Sequence, residues 1–369
     1  MTTAPLPTPS RPRRKGFPTS AAAALGLIVA LAACTAGPAA GPGRSAAVVA
    51  STSATASPPA VASPSPVVQP PFPLALTDDE GTVVTIPGRP QRVVSLTPAT
   101  TEELFALGDG GLVVGDTASD DYPAAAKTLP HVATYQGVDM EQLVAARPDL
   151  VVAGGDGFTS AADIARIRSL GIPVLVIYAA TVPAVLADLR LVGEAIGVLP
   201  AATAMTDAMA AGLARIGAAA AAEPVHPRVF YEIGVGPDIY GPAEDSFVAD
   251  MVSRAGGIPI TSGDPDSYTI ALERLVLADP QVIVLGDYDY GTTVAAVTGR
   301  AGWEGMSAVR DGAVRPVDDT IVTRPGPRLV DGLAALALAI DPQLLLPADL
   351  LPAATPGAGA TAGASSAAP

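Results

Sequence analysis

The side chains that most often perform catalysis or hold metal ions are scarce in this chain. Its 369 residues include two histidines, His131 and His226, and one cysteine, Cys34. A transition-metal centre needs several His, Cys or clustered carboxylate ligands, whereas each histidine stands alone in its half of the chain beside a proline. The sequence also lacks the G-x-S-x-G motif of a nucleophile elbow. We therefore expect no enzyme, no metal site and no resident cofactor.

One glycine-rich stretch follows a strand pattern and invites comparison with a dinucleotide-binding loop. Gly155-Asp-Gly157-Phe-Thr-Ser160 has serine where that motif has its third glycine. The next strand pattern, ending at Tyr178, supplies no acidic residue for a ribose. We interpret the stretch as a tight turn at the mouth of a cleft.

Aromatic side chains that follow strands or lie in turns are candidates for ligand contacts, because ligands of open α/β sheets bind beyond the strand ends. A tyrosine offers a flat apolar ring and a hydroxyl group. For Tyr178 and Tyr240 the alternative interpretation is that they are half-buried core residues. The candidates are Tyr122, Tyr135, Phe158, Tyr178, Tyr240, Tyr268, Tyr288 and Tyr290.

Short apolar runs alternate with helical patterns between residues 92 and 340. The runs are RVVSL (92–96), DLVVA (149–153), PVLVIY (173–178), RVFYEI (228–233) and QVIVLG (281–286). The first helix is expected at 100–107, since Thr100 and Glu103 have the spacing of a capping box. Apolar strands separated by helices indicate an α/β fold with a parallel or mixed sheet covered on both faces.

An internal repeat suggests two equivalent lobes. The run from Glu141, EQLVAARPDLVV, is answered without gaps by ERLVLADPQVIV from Glu273, 132 residues later. Such a spacing is too long for a solenoid repeat, although helix–proline–strand units also recur by chance. Between the two runs, Pro200 opens an alanine-dominated segment that favours a long helix over 200–223. We expect this helix to join a lobe at 73–199 to a lobe at 224–342.

The first 33 residues have the features of a lipoprotein signal peptide. A basic patch at 11–15 precedes an apolar run at 21–33 that is too short to span a bilayer. The run ends in Leu31-Ala-Ala-Cys34, which resembles a bacterial lipobox, so we expect Cys34 to become the lipidated N-terminus. The alternative is an ordinary signal peptide that is cleaved near Cys34 without lipidation. Export by the Sec route and by the twin-arginine route are both compatible with the sequence.

The segments that flank the predicted lobes are poor in large side chains. Residues 34–72, a tether after the lipidated cysteine, and 343–369, a tail, are expected to be disordered. The chain has 21 basic and 36 acidic residues; removing the signal takes away four basic and no acidic ones, which leaves 17 against 36, a net charge of −19. This balance argues against nucleic-acid binding.

Several short motifs together resemble the class III periplasmic binding proteins, the receptors for cobalamin, ferric siderophores and haem in ABC importers. The motifs are RVVSLTPATTE (92–102), DYP (121–123), TYQG (134–137), AGG (255–257) and RPGPR (324–328). The resemblance covers residues 92–342. It implies two Rossmann-like lobes, each a mostly parallel sheet flanked by helices, joined by one long helix with the ligand cleft between them.

The resemblance also implies partners and site residues. The protein is expected to be an extracytoplasmic, lipid-anchored monomer that passes a small molecule to an ABC permease with its ATPase. Implied ligand contacts are Ser119, Asp120, Tyr122, Tyr135, Asp319, Thr320 and Arg324. Alternatively, Arg324 has a structural role at the start of the helix beside Pro325. Glu141 and Glu273 match glutamates that contact arginines of the permease in this family. Alternatively, they are simply solvated carboxylates at the starts of helices.

Residues 119–153 follow the spacing of the cobalamin-binding branch. Ser119, Tyr135 and Ile233 depart from it, since that branch has tyrosine, tryptophan and phenylalanine at these places. The loss of aromatic area keeps a ferric siderophore and haem as alternatives to a corrinoid; haem with an axial histidine would have to recruit His131 or His226. An enzyme on the same doubly wound lobes is the alternative of a different class.

Overall fold

Strands and helices alternate through a first lobe that precedes the long helix. The computed structural model describes residues 67–155 and 158–352, which belong to one compact unit. The strands of this lobe are β1 (Leu74–Thr77), β2 (Val83–Ile86), β3 (Val93–Ser95), β4 (Val113–Thr117), β5 (His131–Thr134), β6 (Gly137–Val138), β7 (Leu150–Gly154) and β8 (Val174–Ile177). Its helices are α1 (Pro98–Ala106), α2 (Met140–Ala146), α3 (Ala161–Ser169) and α4 (Val182–Ala195).

The first lobe is built on a six-stranded sheet with the order β6-β5-β4-β3-β7-β8. Every neighbouring pair is parallel except β5 and β6. Val93 and Val94 in the central strand are both fully buried; Val93 packs with Leu104 on one face and Val94 with Ile164 on the other. The predicted parallel sheet covered on both faces is therefore confirmed.

Helix α1 begins earlier than the capping-box spacing predicted. Thr97 is the N-cap, and its side-chain oxygen accepts a hydrogen bond from the backbone N–H of Thr100 at 3.2 Å. Pro98 occupies the first turn, where its missing N–H has no helical partner to lose. Thr100 thus lies inside the helix, and Glu103 is completely buried rather than folded back over the cap.

The second lobe is a smaller version of the first. Its strands are β9 (Arg228–Glu232), β10 (Gly234–Val235), β11 (Ile239–Tyr240), β12 (Ile258–Pro259), β13 (Thr269–Ile270), β14 (Val282–Leu285) and β15 (Val314–Pro316). Its helices are α6 (Phe247–Arg254), α7 (Leu272–Ala278), α8 (Val294–Thr298), α9 (Ser307–Arg310), α10 (Asp319–Val322) and α11 (Leu329–Ile340). A parallel sheet runs β12-β9-β14-β15, beside a small antiparallel sheet of β10, β11 and β13.

The internal repeat has the same structure in both lobes. Helices α2 and α7 each end at a residue in the left-handed region, Arg147 with φ 49° and Asp279 with φ 46°, before a proline and a strand. Arg92 donates from Nε to the carbonyl of Ala146 at 3.0 Å, and Arg228 donates in the same way to Ala278 at 2.8 Å. The two lobes therefore close corresponding helix ends with corresponding arginines.

Helix α5 (Leu199–Ala221) connects the lobes and spans 23 residues, about 35 Å. Its Leu213 belongs to one buried apolar cluster with Leu189 of α4, Met251 of α6 and Leu333 of α11. The lobes are thus joined by a shared core as well as by the chain. Within the described residues, no helix combines the length and apolar character needed to cross a membrane.

Candidate ligand-binding cleft

An open cavity of about 340 Å³ lies between the lobes. The first lobe lines it with residues that follow β7 and β8, including Phe158 and Tyr178, and the second lobe lines it with Tyr268 and Tyr290. All four side chains expose more than two fifths of their surface. The cavity therefore presents aromatic side chains from both lobes. Phe158, Tyr178 and Tyr290 follow the carboxyl ends of parallel strands, where α/β folds bind ligands.

Two of these tyrosines are neighbours within the cleft. The pKa of Tyr268 is raised, mainly by partial burial and to a smaller extent by the charge of Tyr178 and a hydrogen bond with it. The alternative of a core position does not hold for Tyr178, whose side chain is exposed in the cleft.

A second cavity, of about 560 Å³, opens on the first lobe beside the cleft. Ser119 and Tyr135 line it, and Tyr135 is 94% exposed. Phe158 lines both cavities. Its backbone N–H donates to the carbonyl of Gly155 at 3.0 Å. Ser119 and Tyr135 therefore line one cavity, which shares Phe158 with the interlobe cavity.

Asp120 is placed inside the turn that precedes Tyr122, not at the cleft surface. Its side chain is 4% exposed, and Oδ2 accepts hydrogen bonds from the backbone N–H of Thr117 at 3.0 Å and from the Thr117 hydroxyl. Burial raises the pKa of Asp120 despite these bonds. The carboxyl thus shapes the turn from within, and a ligand contact by Asp120 stays a prediction.

Arg324 lines the cleft and ties the lobes together at the same time. Its Nη1 donates to Asp121 Oδ1 at 2.5 Å and to Glu102 Oε1 at 3.1 Å, both in the first lobe. Partial burial by itself would raise the pKa of the Asp121 carboxyl. The hydrogen bond from Arg324 and its positive charge outweigh burial, so this pKa is lowered. In the described contacts the other guanidinium nitrogens of Arg324 have no acceptor, so their N–H groups remain for a ligand.

Glu102 is the centre of this network, and sequence reasoning gave it no role. The side chain is 3% exposed and also accepts two hydrogen bonds from Arg328, Nε to Oε2 at 2.7 Å and Nη2 to Oε1 at 2.6 Å. The guanidinium carbon of Arg328 lies 4.3 Å from the centre of the Tyr122 ring. Tyr122 thus contacts the opposite lobe. The five residues Glu102, Asp121, Tyr122, Arg324 and Arg328 are called the interlobe latch below.

Asp319 and Thr320, predicted as ligand contacts of the second lobe, are placed differently from each other. Asp319 lines the cleft, accepts a hydrogen bond from the Tyr231 hydroxyl at 2.8 Å, and has its pKa raised by burial. Thr320 lines neither cavity, and its hydroxyl donates to Asp318 at 2.7 Å in the cap of α10. A direct ligand contact by Thr320 therefore stays a prediction, with its hydroxyl bonded within the cap.

The two histidines have structural partners. His131 Nδ1 lies 2.7 Å from Oδ1 of the buried Asp116, and His226 Nδ1 lies 2.9 Å from the carbonyl of Gly256. Burial raises the pKa of Asp116 to about 6 even with the histidine beside it. Among residues 67–155 and 158–352, no group of three His, Cys, Asp or Glu side chains is arranged to hold a metal ion.

Glu141 and Glu273 occupy equivalent places, in the first turns of α2 and α7. Both are exposed, and neither has a basic side chain within ion-pair distance among the described residues. Val144, Val276 and Leu277 on the same two helices are also exposed, Leu277 by 87%. Each lobe therefore presents an unpaired carboxylate with apolar neighbours. Cys34, the predicted lipidation site, lies outside the described residues.

Two α/β lobes joined by a long helix, with an aromatic cleft between them, define a solute-binding protein. A family model described as periplasmic binding protein matches residues 93–320. The chain belongs to this family, whose members bind solutes and are not enzymes, and it is a substrate-binding protein of an ABC importer.

Named relatives agree on this class and differ in ligand. The uncharacterized ABC transporter substrate-binding lipoprotein YvrC of Bacillus subtilis is 33% identical over 276 residues, 74% of this chain and 87% of the relative. The cobalamin-binding protein of Halobacterium salinarum is 30% identical, covering 72% of this chain and 73% of the relative. A periplasmic heme binding protein from Pseudomonas aeruginosa has a similar structure, with a TM-score of 0.61, 27% identity, and coverage of 71% and 97%.

Proposed function

We propose that this protein captures a corrinoid between its lobes and delivers it to an ABC permease. The observation that carries the choice of ligand is the charge of the cleft. Asp188 and Asp319 line the interlobe cavity, and Arg324, already paired with two carboxylates, is the only basic residue among the described residues that line either cavity. A cleft of this kind suits a ligand whose polar groups are amides, as in a corrinoid, better than the carboxylates of haem or an anionic ferric chelate.

The shape of the site supports a ligand with a large flat ring. Phe158 lines both cavities, so a ligand larger than either one can extend from the aromatic interlobe cavity past Phe158 to Ser119 and Tyr135. Stacking on these rings supplies apolar contact, and the free N–H groups of Arg324 supply donors for amide oxygens. The cobalamin-binding relative is consistent with this assignment.

The test is titration of the purified protein with cobalamin, cobinamide, haemin and a ferric chelate, followed by calorimetry and by the absorption spectrum of the bound ligand. Binding of the two corrinoids in preference to haemin and the ferric chelate is expected. Binding of haemin or the chelate without binding of either corrinoid would replace the proposal by the haem or siderophore alternative.

Two substitutions locate the site within that experiment. Tyr135→Ala and Arg324→Ala should each weaken corrinoid binding, by about tenfold for the loss of one stacking ring or of a charged donor. Glu223→Gln, in the turn after α5 and away from both cavities, is the matched control. Wild-type affinity in both cleft variants would place the pocket elsewhere.

The proposal includes an anchored protein outside the cytoplasm. We assign residues 1–33 to a cleaved signal, Cys34 to lipidation, 34–72 to a tether and 343–369 to a tail, on the sequence features described above. The disorder expected of the tail does not hold for its first residues, since Leu350 is buried in the apolar cluster that contains Leu213 and Asp349 pairs with Arg215 at 2.7 Å. Docking is assigned to Glu141 and Glu273, because each lobe exposes one of them at the same place in the repeat. The protein is proposed to act as a monomer.

A further inference from the structure

Arg324 donates to two carboxylates of the interlobe latch that are held very differently. Its Nη1 lies 2.5 Å from Asp121 Oδ1 and 3.1 Å from Glu102 Oε1. Both carboxylates belong to the first lobe, whereas Arg324 belongs to the second. Which of the two a ligand group could replace depends on the other contacts that each carboxylate makes.

Glu102 is a fixed part of the structure. Its side chain is buried, and it accepts two further hydrogen bonds from Arg328, at 2.7 Å and 2.6 Å. Charged hydrogen bonds of this paired kind are strong, and a buried carboxylate that lost them would be left uncompensated. Glu102 is therefore bound to Arg328 first, which leaves Asp121 as the main counter-charge of Arg324.

Asp121 is the exchangeable partner. Its side chain is 51% exposed, in the turn between β4 and β5, and among the described residues only Arg324 donates a side-chain hydrogen bond to it. Partial burial acts to raise the pKa of Asp121, but the hydrogen bond and charge of Arg324 lower it overall, so this carboxyl is ionised at neutral pH. An ion pair with one solvated partner is weak enough to exchange.

The pair lies where a ligand would meet it from one side only. Arg324 lines the interlobe cavity, whereas Asp121 lines neither cavity. A ligand carboxylate at Arg324 would have to displace Asp121 or lie beside this like charge, and both cost free energy. An amide oxygen of a ligand can accept from the remaining N–H groups of Arg324 while Asp121 stays in place.

We propose that Asp121 competes with ligand carboxylates for the guanidinium of Arg324 and thereby makes the cleft favour ligands whose polar groups are neutral amides. The inference rests on the proposed function, because corrinoids carry amides around the ring. Asp121 acts through Arg324 and is a specificity-determining residue that does not itself line the cavity.

The experiment compares two substitutions at this position. Asp121→Asn keeps the size and an acceptor oxygen but removes the charge, whereas Asp121→Glu keeps the charge. Calorimetric titrations use cobinamide, whose ring side chains are amides, and cobyrinic acid, the same ring with carboxylates, so that any side chain facing Arg324 carries the group under test. Displacement of cobinamide measures cobyrinic acid where its binding heat is small.

Asp207→Asn is the control for net charge. Asp207 is exposed on α5 and lines neither cavity, and its substitution changes the charge of the protein by the same amount as Asp121→Asn. Thermal unfolding verifies that all variants are folded.

The wild-type protein is expected to prefer cobinamide to cobyrinic acid. Asp121→Asn should narrow this preference by about tenfold through tighter binding of cobyrinic acid, with cobinamide affinity within a fewfold of wild type. Asp121→Glu and Asp207→Asn should both keep the wild-type preference.

An unchanged preference in Asp121→Asn, or no measurable binding of cobyrinic acid by that variant, overturns the inference and leaves the proposed function intact. A preference narrowed only by loss of cobinamide affinity also overturns it. Equal narrowing with Asp207→Asn does so as well, since net charge alone would then account for the change. Failure of the wild-type protein to bind either corrinoid overturns the proposed function itself.

Discussion

The guanidinium group of Arg328 in the second lobe lies 4.3 Å from the centre of the Tyr122 ring in the first. A cation so placed over an aromatic face is attracted by the ring, and the same guanidinium holds Glu102 through two hydrogen bonds. Arg324 adds bonds to Glu102 and Asp121. The interlobe latch thus fixes the relative position of the two walls of the cleft beside the ligand.

Glu102→Gln should destabilise the protein. The substitution leaves Arg324 and Arg328 half-buried without the carboxylate that both contact. Removing one partner of a buried ion pair costs about 3 kcal/mol. The free energy of unfolding from urea denaturation should fall by about that amount.

A surface ion pair provides the comparison for this variant. Asp207, whose side chain is 67% exposed, pairs with Arg190 at 2.7 Å. Asp207→Asn should cost no more than about 1 kcal/mol because solvent screens the pair. Equal effects of the two substitutions would show that the latch contributes little to stability.

Asp188 should make stability depend on pH. Its pKa is about 8 in the folded protein, raised first by burial and then by Asp79, against an ordinary value of 3.8. Between these values the folded state holds a proton that the unfolded state has released, so stability falls as the pH rises from about 4 to 8. The contribution has a slope of at most about 1.4 kcal/mol per pH unit. Urea denaturation at pH 5, 6.5 and 8 measures it.

In that series, Asp188→Asn should show a shallower pH dependence than the wild-type protein and greater stability than wild type at pH 8. Asp207→Asn should keep the wild-type slope. An unchanged slope in Asp188→Asn would mean that other buried acids, such as Glu103 and Asp116, account for the pH dependence.

Charge reversal at both lobes should impair delivery without impairing capture. Glu141→Lys combined with Glu273→Lys changes two exposed carboxylates outside the cleft. Exposed ion pairs are worth about 0.2–1 kcal/mol each, so the main losses should be in the rate and orientation of docking. Ligand affinity from calorimetry should stay at the wild-type value, whereas uptake by cells and binding to the permease should fall.

The control for docking is Glu80→Lys, a charge reversal at another exposed acid of the first lobe. Normal uptake by the double glutamate variant, or an equal loss with Glu80→Lys, would contradict the assignment of the docking surface.

Cys34→Ser should release the protein from membranes. Two or three acyl chains on the N-terminal cysteine anchor a protein stably, whereas serine accepts none. Fractionation of cells that express each form, with mass spectrometry of the N-terminal peptide, tests this. A precursor that stays uncleaved in wild type, or a wild-type peptide without lipid mass, would rule out the anchor.

The fold was largely predictable because its signals are local. The apolar runs predicted the parallel strands, and the internal repeat predicted two equivalent lobes. In the structure, Arg92 and Arg228 bind the corresponding helix ends of these lobes. The start of α1 was misplaced, since both Thr97 and Thr100 are good N-cap residues. Only the position of Pro98 in the first turn decides between them.

The site was less predictable because its contacts join distant parts of the chain. Glu102 and Arg328 are 226 residues apart, and no spacing rule pairs them. Asp188 lies among ordinary residues of an amphipathic helix, where an acid is usually taken as solvent-exposed. The inward-facing carboxyl of Asp120 was equally hidden, because its place beside the DYP turn gave no sign of its bonds to Thr117.

The shared apolar cluster around helix α5 has a kinetic consequence. Since Leu213 of α5 packs with both lobes, we expect capture to require no large closing step. In stopped-flow mixing, the observed association rate should then rise in proportion to ligand concentration without reaching a plateau. The lifetime of the complex would be set by how fast the ligand leaves, so that the permease, by parting the lobes, could shorten it during transfer.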